Sequence, residues 1–335
     1  MKVLVTGAAG YIGSHTVLSL IKSGYSVTGL DNFSNSRHRV IDVLNEITGK
    51  EILFYSTDLL HYEGLEKIFK ENDINCVIHF AAKKSVEESV FKPLDYYNNN
   101  ITGLVNLLNV MKEANCKRLI YSSSATVYGD ENESPLLEDM PLKAACPYGY
   151  TKVAAEILLK DLSVSDSDWR IIALRYFNPV GSQGLIGDDP IVPPKNLFPI
   201  MSRVALGILP ILKLAGDDYP TPDGYCVRDY IHVEDVAEGH IAAMEALNSA
   251  SFEAINLGTG KGSSVLEVVE TYERATGQKI KREIAPRRAG DVAIGYASPQ
   301  KAKRLLNWES KRNLEEMCAS EWAFSEKILK ARFNK

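Results

Sequence analysis

The sequence predicts an α/β protein with a doubly wound parallel sheet and a smaller C-terminal α/β lobe. Three observations support this fold class. Short apolar runs alternate with helical patterns through the first half of the chain, a glycine-rich turn directly follows the first run, and the composition changes past Asn178. Strands that alternate with helices form βαβ units, and the strands of such units are parallel.

Six apolar runs are the predicted strands of this sheet: Lys2–Thr6, Ser26–Leu30, Ile52–Tyr55, Cys76–Phe80, Arg118–Ser122 and Arg170–Arg175. Helical patterns lie between them. The first predicted helix, Ile12–Ser23, is identified by its apolar periodicity and by Gly24, which ends it.

Beyond Asn178 the pattern indicates a second, smaller lobe that is discontinuous in sequence. Residues 181 to 224 are rich in Gly, Pro and Asp, which predicts loops and one helix around Pro199–Leu206. A strand–helix–strand pattern then returns at Arg228–Ile231, Val233–Leu247 and Ala254–Leu257. We expect this lobe to close over the C-terminal edge of the sheet, where ligands bind in doubly wound folds.

Charge and cysteine usage disfavour several classes of protein. The 335 residues have a formal net charge of −5, whereas proteins that bind nucleic acid are usually basic. The five cysteines never form C-x-x-C and the six histidines show no metal-ligand spacing, so we expect a cytoplasmic protein without disulfides or a metal. Val3-Leu4-Val5 is typical of a buried strand and not of a signal peptide, and no apolar run is long enough to span a bilayer.

The motif Gly7-x-x-Gly10-x-x-Gly13 follows the first strand and opens the first helix. One glycine makes the turn, one lets the backbone approach a pyrophosphate, and one lets helix and strand pack closely. Asp31 ends the second strand, where a carboxylate accepts hydrogen bonds from ribose hydroxyls and repels a 2′-phosphate. The motif predicts a Rossmann-type NAD site, and the alternative is a structural turn with a helix-capping Asp31. Asp58 either accepts a hydrogen bond from the adenine amine or serves as a loop or cap residue.

Tyr148 and Lys152 lie four residues apart on a helical pattern, so their side chains share a face. A free tyrosine has a pKa of about 10 and is a poor base at neutral pH. We expect the ammonium group and a positive nicotinamide ring to favour the phenolate. Ser124 ends the fifth strand, where a hydroxyl can relay or orient the same proton. These three residues are the predicted catalytic group, although the Y-x-x-x-K spacing by itself is common.

The run Thr6-Gly7-Ala8-Ala9-Gly10-Tyr11-Ile12-Gly13-Ser14-His15 resembles the start of extended short-chain dehydrogenase/reductases. The resemblance narrows to the UDP-galactose 4-epimerases and covers nearly the whole chain. The segments similar to that family follow one another in order: Asp31-Asn32, His79-Phe80-Ala81-Ala82, Lys84, Glu88-Ser89-Val90, Ser122-Ser123-Ser124-Ala125-Thr126-Val127-Tyr128-Gly129, Leu174-Arg175-Tyr176-Phe177-Asn178-Pro179-Val180-Gly181, Asn196-Leu197, Gly216-Asp217-Asp218-Tyr219-Pro220, Val227-Arg228-Asp229-Tyr230-Ile231-His232-Val233, Asn256-Leu257-Gly258 and Ala285-Pro286-Arg287-Arg288.

The resemblance implies a role for residues along the whole chain. Besides the glycine motif, the implied NAD contacts are Tyr11, Ile12, Asp31, Asn32, Asn35, Ser36, Asp58, Phe80, Ala81, Lys84, Asn99, Tyr148, Lys152 and Tyr176. Ser124 and Tyr148 would contact the sugar 4-hydroxyl. The implied contacts to the UDP part are Asn178, Asn196, Leu197, Arg228, Val265, Arg288 and Asp291. Guanidinium groups suit a diphosphate, and the alternative is that the arginines are solvated surface charges.

The implied reaction interconverts UDP-galactose and UDP-glucose. Tyr148 would remove the 4-hydroxyl proton while hydride passes from C4 to NAD, and the 4-keto sugar would turn and take the hydride back on its other face. Residues 1–178, together with a return at about 228–257, are the expected NAD-binding domain. Residues 179–335 are mainly the expected UDP-sugar-binding lobe.

Three positions refine this expectation. Related dehydratases and decarboxylases have an acidic side chain just before Val-Tyr-Gly, where this chain has Thr126, so neither reaction is expected. Gly295 borders the sugar 2-substituent in the family, and a small residue there is expected to admit the N-acetyl group of UDP-GalNAc and UDP-GlcNAc. Alternatively, this glycine only serves a turn. Ala215 replaces a frequent aromatic residue against the uracil, which removes the expected stacking contact.

Helices Tyr96–Ala114 and Tyr148–Lys160 have apolar residues beyond one core-facing stripe. In the family two such helices from each subunit form a four-helix dimer interface, so the resemblance implies a homodimer. Two other functions compete with the expected one. The first is a 4-epimerase that prefers another UDP-sugar, such as UDP-N-acetylglucosamine or UDP-glucuronate, and the second is an NAD-sensing or scaffold protein without catalysis.

Overall fold

The structure of the protein, a computed structural model, describes residues 1–249, 251–288 and 291–333. Its strands in chain order are β1 (Lys2–Thr6), β2 (Ser26–Asp31), β3 (Leu53–Ser56), β4 (Cys76–His79), β5 (Arg118–Ser124), β6 (Arg170–Tyr176), β7 (Asn178–Val180), β8 (Leu212–Ala215), β9 (Val227–Arg228), β10 (Tyr230–His232), β11 (Phe252–Leu257), β12 (Ser263–Ser264), β13 (Arg282–Ala285) and β14 (Ile294–Gly295).

The α-helices are α1 (Tyr11–Lys22), α2 (Arg39–Thr48), α3 (Tyr62–Glu71), α4 (Val86–Phe91), α5 (Pro93–Tyr97), α6 (Gly103–Glu113), α7 (Pro147–Ser165), α8 (Leu197–Ala205), α9 (Val233–Ala246), α10 (Val265–Thr276), α11 (Gln300–Leu306), α12 (Leu314–Phe324) and α13 (Lys330–Phe333). Two π-helical turns, Asn98–Thr102 and Ser325–Leu329, join α5 to α6 and α12 to α13. Short 3₁₀ turns cover Ala125–Tyr128 and Leu247–Ser249. In the part of the chain that the structure describes, no helix is both long and apolar enough to cross a membrane.

The main sheet has seven strands in the order β11-β6-β5-β4-β1-β2-β3, and all neighbouring pairs are parallel. The predicted fold class is confirmed, and each of the six predicted strands begins and ends within two residues of its prediction. Since all strands run the same way, the residues after each strand meet at one edge. That edge therefore collects the glycine motif and the residues that follow β2, β4, β5 and β6.

Helices cover both faces of this sheet, and the side chains of each strand alternate between the two layers. In β1, Val3 and Val5 pack into a core with α1, α2 and α9, whereas Leu4 packs with α3, α6 and α7. β11 extends the sheet beyond β6, with Phe252 opposite Ile171, so this late segment shares a core with the first half of the chain.

A third core lies in the C-terminal part, among α8, α10 and α12. The predicted helix Pro199–Leu206 is found at Leu197–Ala205; it starts earlier because Pro199 is tolerated in a first turn. Residues 212–215, predicted to be loop, form strand β8 instead, which pairs with β13. Four residues show too little alternation to identify a strand whose partner lies far along the chain.

The predicted continuous helix Tyr96–Ala114 is interrupted, because a π-helical turn separates α5 from α6. A π-helical turn adds only one residue to the helix, and the apolar spacing of so short a segment did not reveal it.

Candidate active site

The glycine motif lies where backbone segments come too close for a side chain. Gly7 has a φ of +70°, and a Cβ there would lie 2.8 Å from the backbone N of Ala81. A Cβ on Gly13 would lie 2.1 Å from the carbonyl oxygen of Gly7. Gly10 is the N-cap of α1, so the first turn of that helix leaves its N–H groups facing the sheet edge. This geometry fits a dinucleotide phosphate, for which such a turn is built.

Asp31 holds the loops on either side of the predicted ribose site. Its Oδ2 accepts a hydrogen bond from the N–H of Ala9 at 3.0 Å, and its Oδ1 accepts from the N–H of Phe33 and the hydroxyl of Ser36, both at 2.8 Å. The carboxylate caps no helix, so that alternative is not what the structure shows. A carboxylate has about four acceptor positions, so three internal hydrogen bonds leave capacity for a ribose hydroxyl.

The other predicted cofactor residues follow the same edge. Asp58 accepts hydrogen bonds from Asn32 Nδ2 at 2.7 Å and from the N–H of Leu60 at 2.8 Å, which also gives it a role in the loop. Phe80 and Ala81 follow β4, Asn35 lies in the loop after β2, Lys84 is exposed, and Asn99 lies in the first π-helical turn. Ile12 is in the first turn of α1.

Two predicted cofactor tyrosines use their hydroxyls inside the protein. Tyr11 donates to the carbonyl oxygen of Gly181 at 2.5 Å, and the hydroxyl of Tyr176 lies 2.6 Å from His240 Nε2. His240 is a contact that the sequence did not single out. Its only signal is position on the buried face of α9, which does not distinguish it from any core residue.

Ser124, Tyr148 and Lys152 are brought together where β5 ends against the start of α7. Tyr148 is hydrogen-bonded to Ser124, and burial raises its pKa to about 12. The Nζ of Lys152 donates to the carbonyl oxygen of Ser122 at 2.6 Å and lies 6.0 Å from the centre of the Tyr148 ring. Burial lowers the pKa of Lys152 to about 7. The expected preference for a phenolate is therefore not seen in the protein alone, because desolvation disfavours both charged forms.

The start of α7 is fixed by residues around this group. Pro147 occupies the first turn, and the thiol of buried Cys146 accepts from the N–H of Gly149 at 3.4 Å. A Cβ on Gly149 would lie 3.0 Å from the carbonyl oxygen of Thr126, so the helix can approach the turn after β5 only through a glycine. Thr126 donates through its hydroxyl to Ser124 Oγ at 3.0 Å.

The predicted UDP residues come from several elements of the C-terminal part. Arg228 is largely buried and lies 3.4 Å from Asp291 Oδ1, so it is not a freely solvated charge. Asn196 is the N-cap of α8 and donates to Asp188 Oδ2 at 3.1 Å, and Leu197 is the first residue of that helix.

The remaining UDP residues are more exposed. Val265 begins α10, Asn178 begins β7, and Arg288 is exposed. A hydrogen bond from Lys195, with the charge of Arg288, lowers the pKa of Glu87 on α4. Arg288 is therefore close enough to Glu87 for their charges to interact.

Gly295 lies in β14, opposite Arg228 in β9. Its φ is not in the positive range that favours glycine. A Cβ at this position would have Val292 Cγ2 as its nearest atom, at 3.6 Å. The backbone therefore does not require glycine, and the alternative of a turn glycine is wrong.

Ala215 ends β8. Shortly after it, Asp218 and Tyr219 contact Arg287, and sequence reasoning missed this group. The guanidinium carbon of Arg287 lies 4.3 Å from the centre of the Tyr219 ring, and its Nε donates to Asp218 Oδ1 at 2.6 Å. Arg287 and Tyr219 both lie in segments that resemble the family, but nothing in their spacing along the chain indicates that they are in contact.

The sequence matches the protein family described as GDP-mannose 4,6 dehydratase over residues 4–320. It is 52% identical to the UDP-glucose 4-epimerase of Bacillus subtilis over 96% of each chain. The fold is similar to UDP-glucose 4-epimerase from Bifidobacterium longum in complex with NAD⁺ and UDP, with a TM-score of 0.96, 45% identity and coverage of 98% and 99% of the two chains. It is equally similar to the enzyme from Stenotrophomonas maltophila with bound NAD and formylated UDP-arabinopyranose, with a TM-score of 0.96, 43% identity and coverage of 99% of both.

The relatives are named for the epimerase and not for the dehydratase, which agrees with Thr126 in place of an acidic side chain. Their cofactor is the one that the glycine motif and Asp31 predict, and the expectation of NAD is confirmed. The chain therefore belongs to the UDP-glucose 4-epimerases, NAD-dependent isomerases of the extended short-chain dehydrogenase/reductase family.

Proposed function

We propose that this protein interconverts UDP-galactose and UDP-glucose through a 4-keto sugar. The observation that carries the proposal is the group of Ser124 with buried Tyr148 and buried Lys152, at the sheet edge that also carries the glycine motif. When bound, NAD supplies the hydride acceptor and donor for chemistry at C4 of the sugar. The side chains of this protein then have to move one proton and hold the sugar nucleotide.

Tyr148 takes the proton of the sugar 4-hydroxyl and later returns it. Its pKa of about 12 makes it a weak base by itself, so it depends on positive charge nearby. Lys152 is placed to supply that charge from the next turn of α7. Ser124 is hydrogen-bonded to Tyr148 and orients the hydroxyl that reacts.

The binding roles follow the two halves of the cleft. We infer that residues 1–178, with the return at 228–257, bind NAD through the glycine motif and Asp31. The UDP part is then held mainly by residues within 179–335. Arg228, at the boundary of the returning segment, contributes to this UDP site and is kept in place by Asp291. A grip on UDP retains the keto sugar while the sugar ring turns.

The first experiment is to incubate the purified protein with UDP-galactose, without added NAD, and to follow the sugar by proton NMR. We expect UDP-glucose to form until equilibrium is reached. Tyr148→Phe should lower kcat by about 10² to 10⁴-fold and still retain NAD, because only the proton acceptor is lost. An unchanged sugar, even after NAD is added, would contradict the substrate assignment. Equal turnover by Tyr148→Phe would favour a protein that senses NAD without catalysis.

We propose UDP-GalNAc and UDP-GlcNAc as a second substrate pair. Gly295 has no side chain, so it leaves open space next to Arg228, and its backbone conformation does not require glycine. Gly295→Tyr should block turnover of the N-acetyl sugars and leave turnover of UDP-galactose nearly unchanged. Gly295→Ala is the matched control, since its Cβ meets an ordinary contact. The proposal is wrong if the unsubstituted protein converts UDP-galactose alone.

We also propose a homodimer formed through α6 and α7. Exposed apolar side chains recur every seven residues along α7, at Tyr150, Ile157 and Val164, and Val105 is exposed on α6. Such spacing is typical of helices that pack against other helices.

We also propose a cytoplasmic location. The five cysteines are free and buried, which supports a reducing environment.

A further inference from the structure

Glu156 is a buried carboxylate that the proposed mechanism leaves without a role. It lies on α7 one turn after Lys152 and is 3% exposed. Arg175 of β6 contacts both of its oxygens, at 2.6 Å from Nη2 and 3.0 Å from Nε. Ser123 of β5 donates to Oε1 at 2.5 Å. Both oxygens of the carboxylate are thus hydrogen-bonded, one helical turn after Lys152 of the candidate catalytic group.

Arg175 is fixed on its other side. Its Nη1 donates to the hydroxyl of Tyr128 at 2.9 Å and to the carbonyl oxygen of Glu138 at 3.1 Å. The Tyr128 hydroxyl donates in turn to Asn256 Oδ1 at 2.7 Å. These contacts hold Arg175 in place, and Arg175 in turn holds the Glu156 carboxylate in a single buried position.

Besides Glu156, the titratable groups around Lys152 are uncharged at neutral pH. From β5, the Tyr121 ring lies 4.8 Å from Nζ, and from α7 the Tyr148 ring lies at 6.0 Å. His79 of β4 is buried, and its pKa falls to about 3 through burial and the charge of Lys152. Tyr176 of β6 is also buried, and its pKa is raised by burial.

Glu156 is the one carboxylate in the described ranges whose charge acts on Lys152 in the favourable direction. Burial lowers the pKa of the Lys152 ammonium to about 7, and the charge of Glu156 opposes that effect. Arg175 binds Glu156 and offsets part of this charge, but Glu156 lies four residues after Lys152 and therefore shares its helix face. A buried ion pair is weak evidence for stability by itself, so a role in charge placement needs its own test.

We propose that Glu156 is a positioning residue that keeps Lys152 protonated, so that Lys152 can assist proton removal by Tyr148. The role rests on the proposed function of Tyr148 and Lys152. Glu156 contacts no substrate and no cofactor. It acts through Lys152 alone, with Arg175 and Ser123 holding its carboxylate in place.

The test is the pH dependence of kcat for Glu156→Gln, measured on NAD-loaded protein with UDP-galactose. Glutamine keeps the shape and the acceptor oxygen but removes the charge, so Lys152 loses its proton at lower pH. The alkaline limb of kcat should move down by about one pH unit, and kcat should approach that of the unsubstituted protein at low pH. Ser123→Ala is the matched control, because it removes a hydrogen bond from Glu156 and leaves the charge, so its limb should not move.

A purely structural role would lower kcat by one factor at every pH, or would move the limb equally in both variants, and either result overturns the proposal. If Glu156→Gln does not fold, the double variant Glu156→Gln/Arg175→Met removes the unpaired buried cation. Its alkaline limb should move in the same direction by a smaller amount.

A second measurement does not depend on activity. In protein labelled with ¹³C at the lysine Cε, the Lys152 signal is assigned by its loss in Lys152→Met, and its midpoint is followed with pH. The midpoint should fall in Glu156→Gln and stay unchanged in Ser123→Ala. An unchanged midpoint in Glu156→Gln overturns the proposal. A shifted midpoint without epimerase activity in the unsubstituted protein would instead show that the proposed function has failed.

Discussion

Tyr148 and Lys152 are titratable groups whose pKa values burial moves in opposite directions, to about 12 and about 7. At neutral pH Tyr148 is therefore protonated, and Lys152 is only partly charged. The helix spacing brings them together. Burial is the main cause of both pKa shifts, opposed by the hydrogen bond of Ser124 for Tyr148 and by the charge of Glu156 for Lys152. At the scale of the residue, the environment therefore matters as much as residue type.

Glu321 shows the same effect away from the candidate site. It is buried on α12, where its Oε1 accepts from Ser202 Oγ at 3.3 Å and from Ser325 Oγ at 3.2 Å. Burial, and then the charge of Asp188, raise its pKa to about 8. A carboxyl group with a raised pKa stabilises the fold fully below its ordinary pKa, and this contribution is lost as the pH rises toward 8.

Glu321→Gln should remove this loss. We expect the variant to gain stability relative to the unsubstituted protein as the pH rises from 5 to about 8, by about 1.4 kcal/mol for each pH unit, with little further change up to pH 9. Urea unfolding at several pH values measures the difference. Glu315→Gln, at an exposed position of the same helix, is the control and should show no such trend. A difference that stays constant with pH would contradict the assigned pKa.

At the scale of elements, the segment between β7 and α8 is held by ion pairs from both ends of the chain. Asp189 accepts from Arg332 of α13 at 2.7 and 2.5 Å, and lies 3.2 Å from Arg37 Nε. Arg37 follows Ser36, whose hydroxyl binds Asp31. The C-terminal helix is thereby connected to the loop that borders the proposed ribose site.

Asp189→Asn should loosen this connection. We expect a loss of about 1 to 2 kcal/mol in unfolding free energy and less NAD retained after gel filtration, because both arginines lose a charged partner. Thermal unfolding and the NAD content of the eluted protein provide the measurements. The control is Glu326→Gln, which removes an exposed pair with Lys330 at 3.9 Å and should change neither value. Equal behaviour of the two variants would show that the ion pairs of Asp189 contribute neither to stability nor to NAD retention.

At the scale of the whole molecule, about half of the exposed large apolar side chains of the described residues lie on α4, α5, α6 and α7. Phe91 and Leu94 near α4 and α5 are 78% and 83% exposed, and Ile157 on α7 is 55% exposed. Exposed apolar side chains often mark a protein–protein contact, and the proposed dimer would bury those on α6 and α7.

Ile157→Glu should therefore produce monomers, measured by analytical ultracentrifugation across a range of concentrations. Ile284→Glu is the matched control, because Ile284 on β13 is 57% exposed but lies in the other lobe. Its sedimentation should match that of the unsubstituted protein. A monomeric unsubstituted protein would contradict the proposed dimer.

Local patterns in the sequence determined the parallel sheet, the glycine motif, Asp31 and the Tyr148–Lys152 pair, because strand alternation and helix spacing act over a few residues. The tertiary structure alone decided which side chains surround them. Glu156 meets Arg175, β8 meets β13, and Arg287 meets Tyr219. These contacts join residues that are far apart in the chain, and their energies depend on burial and on the distance between atoms, neither of which the order of residues contains.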